Sequence, residues 1–458
     1  MSSDWPLKEL VLIADEVTVG YVGPMATEYV ESGIPFLRSL NIDQFNINSN
    51  DLKYVTPEFH HRIKKSSLHP GDVAIVRTGK PGTCAVIPDW LQEANCSDLV
   101  IVRCGREIRP HFLCYWVNSK ATHHIESHTV GAVQQHFNVG AAKTMKVAVP
   151  SLHKQDQVLE LLRGLDDRIT LLRETNTTLE AIAQALFKSW FVDFDPVRAK
   201  QEGREPEGMD ADTAALFPDS FEESELGLVP KGWHIGSIGQ IAEVIDCLHS
   251  KKPELISEGW PFLQLSNIRD DGLLDASNVS YITEADYRKW ISRIEVSEGD
   301  CVITNVGRVG AVAQIPSGFK AAMGRNMTAM RLKHDWPYPT YLIELLQSSW
   351  MLTEIKRRTD ICTILDALNV RNIPELRCVL APSDVMRNFE LSSRPLRASM
   401  EANLERANNL ATLRDTLLPR LISGQLRLPD AEAMDDEVLI QSVKDRLEER
   451  SIKVSLEL

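Results

Sequence analysis

Nowhere does this chain approach the roughly 18 consecutive apolar residues of a membrane-crossing helix. Its first residues lack both the basic segment and the apolar core of a secretory signal, so a cytoplasmic protein is expected. Cysteine is sparse. The eight (Cys84, Cys96, Cys104, Cys114, Cys247, Cys301, Cys362, Cys378) form no Cys-x-x-Cys pair and read as free thiols of a reducing compartment. The Gly-x-x-x-x-Gly-Lys-Ser/Thr phosphate loop is missing, as is the Asn/Asp-Pro-Pro-Tyr/Phe run of adenine methyltransferases, to which Asp195-Pro196-Val197 comes nearest. Asp72 and Asp300 each follow a glycine ahead of an apolar run with no Glu-x-Lys nearby, so they read as turn residues and not as nuclease carboxylates. His123, His124, His128 and His136 cluster without the spacing or partners of a metal site. No catalytic residue, metal ligand or cofactor site is expected in the chain.

What is present is a duplication. Ile34-Pro35-Phe36-Leu37 recurs as Trp260-Pro261-Phe262-Leu263, Gly71-Asp72 as Gly299-Asp300, Gly79-Lys80-Pro81-Gly82 as Gly307-Arg308-Val309-Gly310, and Ile87-Pro88 as Ile315-Pro316. The offset drifts from 226 at Pro35 to 231 at Leu179 and Leu410, as small loop insertions would make it do. A chain built twice has a pseudo-twofold axis and suits a partner that also comes in halves.

Each copy opens with short apolar runs broken by Gly and Pro, which read as strands and turns. Val73–Val76 and 85–87 flank a glycine-bearing loop, 99–102 and 146–149 are further strands, and a helix starts at Pro110. After 153 the period changes. Val158, Leu162, Leu165, Ile169, Leu172, Asn176, Leu179, Ala183, Leu186 and Trp190 alternate at steps of four and three, a heptad seam. Leu396, Met400, Asn403, Ala407, Leu410, Leu413, Leu417 and Leu421 form a second one. Antiparallel packing would bury both seams, with Asn176 and Asn403 fixing register or merely touching solvent.

The expected fold is α+β: two similar mixed α/β domains separated by a pair of long antiparallel coiled-coil helices, pseudo-twofold. The expected boundaries are a first domain at 1–152, a helix at 153–192, an acidic linker at 193–229, a second domain at 230–382, a helix at 383–426 and an acidic tail at 427–458. The net charge of −14 sits mostly outside the domains: 1–150 and 230–382 carry −1 each, 151–229 carries −9 and 383–458 carries −3. Near-neutral domains can each hold a basic face, so bulk acidity does not exclude DNA.

The junction Val147-Ala148-Val149-Pro150-Ser151-Leu152-His153-Lys154-Gln155 resembles the specificity subunit of type I restriction–modification systems, whose Pro-x-x-x-x-Gln signature marks the entry into the long helix. The second junction keeps Pro382 but has Arg387 in the glutamine's place. The stretches 181–194 and 417–426 are also similar to that family. The resemblance spans about residues 5–430 and implies that each globule is a target recognition domain reading half of a bipartite, asymmetric double-stranded DNA site. It also implies that the helices set the gap between half-sites and dock two methyltransferase subunits, which restriction/translocase subunits join in defence against foreign DNA. S-adenosylmethionine, ATP and Mg would act in those partners, and this chain would be non-catalytic.

Reading DNA takes Arg and Lys for phosphates and guanine, and Asn and Gln for adenine. The loops recurring in both copies supply Arg77, Thr78, Lys80, Gln134, Gln135 and Asn138, then Lys251, Lys252, Asn305, Arg308, Arg325, Asn326 and Thr363. Matching positions differ (Arg77 against Asn305, Lys80 against Arg308), so the half-sites should differ too. Two other readings compete. A fused recognition–methyltransferase or nuclease is disfavoured by its missing motifs, and a coiled-coil scaffold binding only protein is disfavoured by the polar, glycine-bearing loops.

Overall fold

A computed structural model describes residues 5–121, 124–125, 137–225, 227–360 and 366–426. The chain divides into two compact units, Met1–Ile169 with Asn409–Leu458, and Thr170–Asn408. The boundaries fall inside two long helices, Leu152–Phe191 and Ser383–Leu421. Each unit therefore owns one globular copy, the start of the helix that follows it and the end of the other helix. No described helix is long and apolar enough to cross a membrane.

In the first unit a four-stranded antiparallel sheet runs in the order Cys84–Val86, Val73–Val76, Leu99–Cys104, Ala14–Val19. Its apolar runs are continuous because both faces are covered. Val73, Ile75, Val100 and Val102 face helix Pro110–Lys120 and the long-helix segments, whereas Ala74, Val76, Leu99 and Ile101 face a second sheet. That second sheet contains Ile34–Leu37 beside Ala94–Cys96 in parallel. The second unit repeats the plan: Val312–Gln314, Cys301–Thr304, Met327–Leu332 and Ala242–Asp246 form the four-stranded sheet, and Trp260–Leu263 runs parallel to Ala321–Met323 in the other. The opening strand of each copy pairs with the strand that enters its long helix, Leu7–Glu9 with Lys146–Ala148 and His234–Ser237 with Arg377–Leu380. The duplication is thus one of topology as well as of letters. Asp72 and Asp300 do serve turns, accepting from the backbone N–H groups of His69 and Ser297.

Gln155 explains why a glutamine follows the first junction. It is fully buried; its Oε1 accepts from Arg109 N–H at 2.8 Å, and its Nε2 donates to the carbonyls of Glu107 (2.8 Å) and Pro150 (2.9 Å). It ties the start of helix Pro110–Lys120 to the start of the long helix. In the second copy Arg387 is exposed, and Glu390, one turn further on, takes over. Its carboxylate accepts from the N–H and hydroxyl of Thr340 (3.0 and 2.7 Å) and from Tyr341 N–H (3.4 Å), at the start of helix Pro339–Gln347.

Within each unit the long-helix segments run antiparallel. In the first, Leu162 and Leu165 share a core with Leu413 and Leu417. In the second, Trp190 meets Phe389 while Asn176 meets Asn403. The two asparagines bond each other at 3.0 Å, and Asn176 also donates to the Met400 carbonyl at 2.9 Å, so they set register and do not simply touch solvent. Leu165, Ile169, Met400 and Leu417 are buried; Leu172, Leu179, Leu186, Leu396, Leu410 and Asn403 are half-buried. Phe187 and Arg397 are buried beside Leu186 and Leu396, the one-residue shift expected when a straight helix drifts against a strict heptad.

Residues 193–229, expected as an acidic linker, carry regular structure. They form helices Asp195–Gln201 and Ala211–Ala215 and a hairpin of Phe221–Ser224 with Gly227–Pro230. Phe194, Val197 and Phe217 are buried in the second unit's core with Trp190 and Trp233, and Val229 is buried as well. Acidic composition marks the outer face of this segment, while its irregularly spaced apolar residues hold it down. The expected tail at 427–458 lies outside the described residues.

Burial holds the carboxyls of Glu180, Glu344, Glu390 and Glu401, all in the second unit, above the usual glutamate range. A folded-state pKa above the unfolded one means that the folded unit binds the proton more tightly. That stability is present in acid and is lost as pH rises from the ordinary glutamate range through the raised values. Six of the nine tryptophans lie in 170–408, so the urea midpoint followed by tryptophan fluorescence mainly reports this unit. The midpoint should fall as pH rises through that window, and the slope should flatten in Glu401→Gln. An equally steep slope in the variant would count against this assignment.

Candidate nucleic-acid interface

The candidate loops lie at one end of the four-stranded sheet in each unit. In the first, the loop after Val73–Val76 closes through Gly82 N–H to the Val76 carbonyl at 3.0 Å, with Gly79 and Gly82 at positive φ. Arg77 and Thr78 are partly engaged in building it. Arg77 N–H reaches the Asp98 carbonyl (3.3 Å), Arg77 Nε donates to the Phe137 carbonyl (3.2 Å), and Thr78 hydroxyl donates to the Asp98 carboxylate (3.0 Å). Asn138 caps helix Val139–Lys143 by accepting from Ala141 N–H at 2.9 Å. Lys80 is exposed at the loop tip. Gln134 and Gln135 lie outside the described residues.

The second unit builds the same corner with other side chains. Asn305 N–H donates to the Asn326 carbonyl at 3.0 Å, as Arg77 does to Asp98, and Leu368 N–H donates to the Asn305 carbonyl at 2.8 Å, as Phe137 does to Arg77. Asn326 and Asp98 both adopt left-handed backbone, at φ 64° and 57°. Asn305 is buried, and its Oδ1 has no hydrogen-bond partner. Arg308 donates to the Ile268 carbonyl at 2.5 Å and pairs with the Asp270 carboxylate. Arg325 is exposed beside Asn326, and Lys251 and Lys252 are exposed on the loop after Ala242–Asp246. Thr363 lies outside the described residues. The structure therefore brings Arg77, Thr78 and Asn138 to one corner and Asn305, Arg308, Arg325 and Asn326 to its counterpart. Lys80, Lys251, Lys252 and Arg325 present outward-facing cations.

Sequence reasoning missed Asp98, the residue on which the first corner turns. Its signal was available: Asp98 stands 228 positions before Asn326, the offset that joins Gly71 to Gly299. Among the described residues, Asp246, Cys247 and His249 could bring donor atoms together, within 4.8 Å of one another. The Asp246 carboxylate, however, already takes His249 at 2.8 Å, with the Arg293 guanidinium at 3.7 Å, a field that disfavours a cation.

The fold defines a class: a duplicated α+β domain whose copies share two long helices. No family model matches the chain. Among curated proteins it is 24% identical over 328 residues to the HindI type I restriction enzyme specificity subunit of Haemophilus influenzae, covering 62% of this chain and 70% of that protein. It is 20% identical over 438 residues to the MjaIX type I restriction enzyme specificity subunit of Methanocaldococcus jannaschii, covering 93% and 94%. The crystal structure of a type I restriction–modification S subunit from M. genitalium shares the fold, with a TM-score of 0.53 at 14% identity, over 92% of this chain and 96% of that one. The resemblance read at Pro150 and Gln155 is borne out as a similarity: the chain is similar to type I restriction enzyme specificity subunits over up to 93% of its length.

Proposed function

We propose that each unit reads one half of a bipartite, asymmetric double-stranded DNA target, and that the chain docks two adenine-methyltransferase subunits and restriction/translocase subunits while supplying no catalytic group of its own. S-adenosylmethionine, ATP and Mg would act in those partners. One observation carries the reading: two copies of one sheet corner, built on the same backbone bonds, carry different outward polar residues. A shared corner with unlike side chains suits two unlike half-sites. Base edges are read by such side chains, while phosphates are held by cations such as Lys80, Lys251, Lys252 and Arg325.

The test is selection from a random duplex pool, with the chain alone and with a co-produced methyltransferase subunit. Enrichment of a two-part motif with unlike halves is expected with the partner present. A single palindromic motif, no enrichment, or methylation by the chain alone would overturn the proposal.

A further inference from the structure

In each unit one helix of the globular copy leans on both long-helix segments, at side chains that correspond under the duplication. Pro110 and Pro339 open matching helices, which pairs Tyr115 with Glu344. The offset of 231 that joins Leu179 to Leu410 pairs Asp166 with Arg397. The chemistry at these paired positions is inverted.

In the first unit the long-helix residue is the anion. Tyr115 hydroxyl donates to the Asp166 carboxylate, whose other oxygen takes Arg414 Nη1 at 2.6 Å from the opposite helix. Arg414 also lies 4.8 Å over the Phe45 ring, which packs 4.9 Å from Tyr115. Helix-to-helix charge is already closed, and the globule contributes a neutral hydroxyl.

In the second unit the long-helix residue is the cation, and the globule brings the charge that answers it. The side chains of Arg397 and Glu344 are 3% and 1% exposed, with Nη1 3.8 Å from Oε1. Arg397 also donates to the Gly272 carbonyl at 2.7 Å and to Gln347 Oε1 at 3.3 Å, and its Nε is buried without a partner. Glu344 takes Gln184 Nε2 from the opposite helix at 2.5 Å, and Gln347 reaches Glu180 there at 3.5 Å. Glu180 and Glu401 are the further anions within reach of the Arg397 charge.

We propose that these are docking brackets of opposite polarity, and that Asp166 and Arg397 are positioning residues that make the two globular domains non-interchangeable on the helices. A second-domain carboxylate placed at the first bracket meets Asp166, and a first-domain tyrosine placed at the second leaves Arg397 buried without its main counter-charge. Removing one partner of a buried pair is costly, whereas replacing both by apolar groups is close to neutral. That asymmetry separates a matched bracket from ordinary packing.

The experiment is amide hydrogen exchange on the full-length chain, reading 339–347 and 110–120 separately. Glu344→Tyr should speed exchange in 339–347 by on the order of a hundredfold and leave 110–120 unchanged. Arg397→Met should give a smaller rise, since Glu344 can then take a proton. The double variant Glu344→Tyr/Arg397→Met should return to within a few-fold of the parent. At the other bracket, Tyr115→Glu should speed exchange in 110–120, and adding Asp166→Asn should restore protection, because Arg414 then pairs with the introduced carboxylate. Additive losses in either cycle, or a neutral Tyr115→Glu, would overturn the proposal. Neither measurement uses DNA, so its outcome stands apart from whether the units read DNA.

Discussion

Replacing Gln155 with leucine is expected to destabilise the first unit by about 3 kcal/mol or more, a large part of the margin of an ordinary domain. The side chain is fully buried and satisfies three backbone groups: Arg109 N–H and the carbonyls of Glu107 and Pro150. Leucine fills the same space and satisfies none. Each buried orphan costs roughly 1–3 kcal/mol, and the groups left behind are the very ones that hold helix Pro110–Lys120 to the start of the long helix. Chemical denaturation, with hydrogen exchange assigning the loss to 110–120, would check it. The second junction supplies the control. Arg387→Gln, which restores the family's glutamine there, should be near neutral, because Arg387 is exposed and Glu390 already accepts from Thr340 and Tyr341. A stabilising Arg387→Gln, or a Gln155→Leu that costs under about 1 kcal/mol, would show that the staple is not what the glutamine contributes.

Gln155 also marks how far the sequence could be read. The duplication, its strands and both helices were legible because periodicity is local and the two copies report the same pattern twice. The missing glutamine at 387 was legible as a gap; its substitute at Glu390 was not, since it stands one helical turn further on and accepts from the Thr340 hydroxyl and the N–H groups of Thr340 and Tyr341, a different set of partners from the glutamine's. Residues 193–229 read as a linker because net charge describes the surface of a segment, while Phe194, Val197 and Phe217 follow no single period into the core. Arg397 was passed over for Leu396 because its answering charge, Glu344, is remote in sequence. The candidate interface divides for a similar reason. Residue type identified polar loops correctly, yet type says nothing of direction: Arg77, Thr78, Asn138 and Asn305 are committed, wholly or in part, to building the corner, whereas Lys80, Lys251, Lys252 and Arg325 face outward.

That division yields the second large effect. The triple variant Lys251→Ala/Lys252→Ala/Arg325→Ala should weaken binding of the chain–methyltransferase complex to its selected DNA by on the order of a hundredfold at physiological salt. If all three touch phosphates, the slope of log affinity against log salt should also become shallower by about three, near 0.9 for each lost contact. Fluorescence anisotropy across a salt series measures both. Under the proposed reading, the preference for the half-site assigned to the first unit should survive, because its corner is built from separate residues. Asn305→Ala separates the two roles. Its side chain is buried, so the change should register in the stability of the second unit and leave the salt slope unaltered. A triple variant with unchanged slope would move the DNA-facing surface away from this end of the sheet. An Asn305→Ala that relaxes base preference without loosening the fold would show that its buried Oδ1, unpartnered in the free chain, opens to a base edge when DNA arrives.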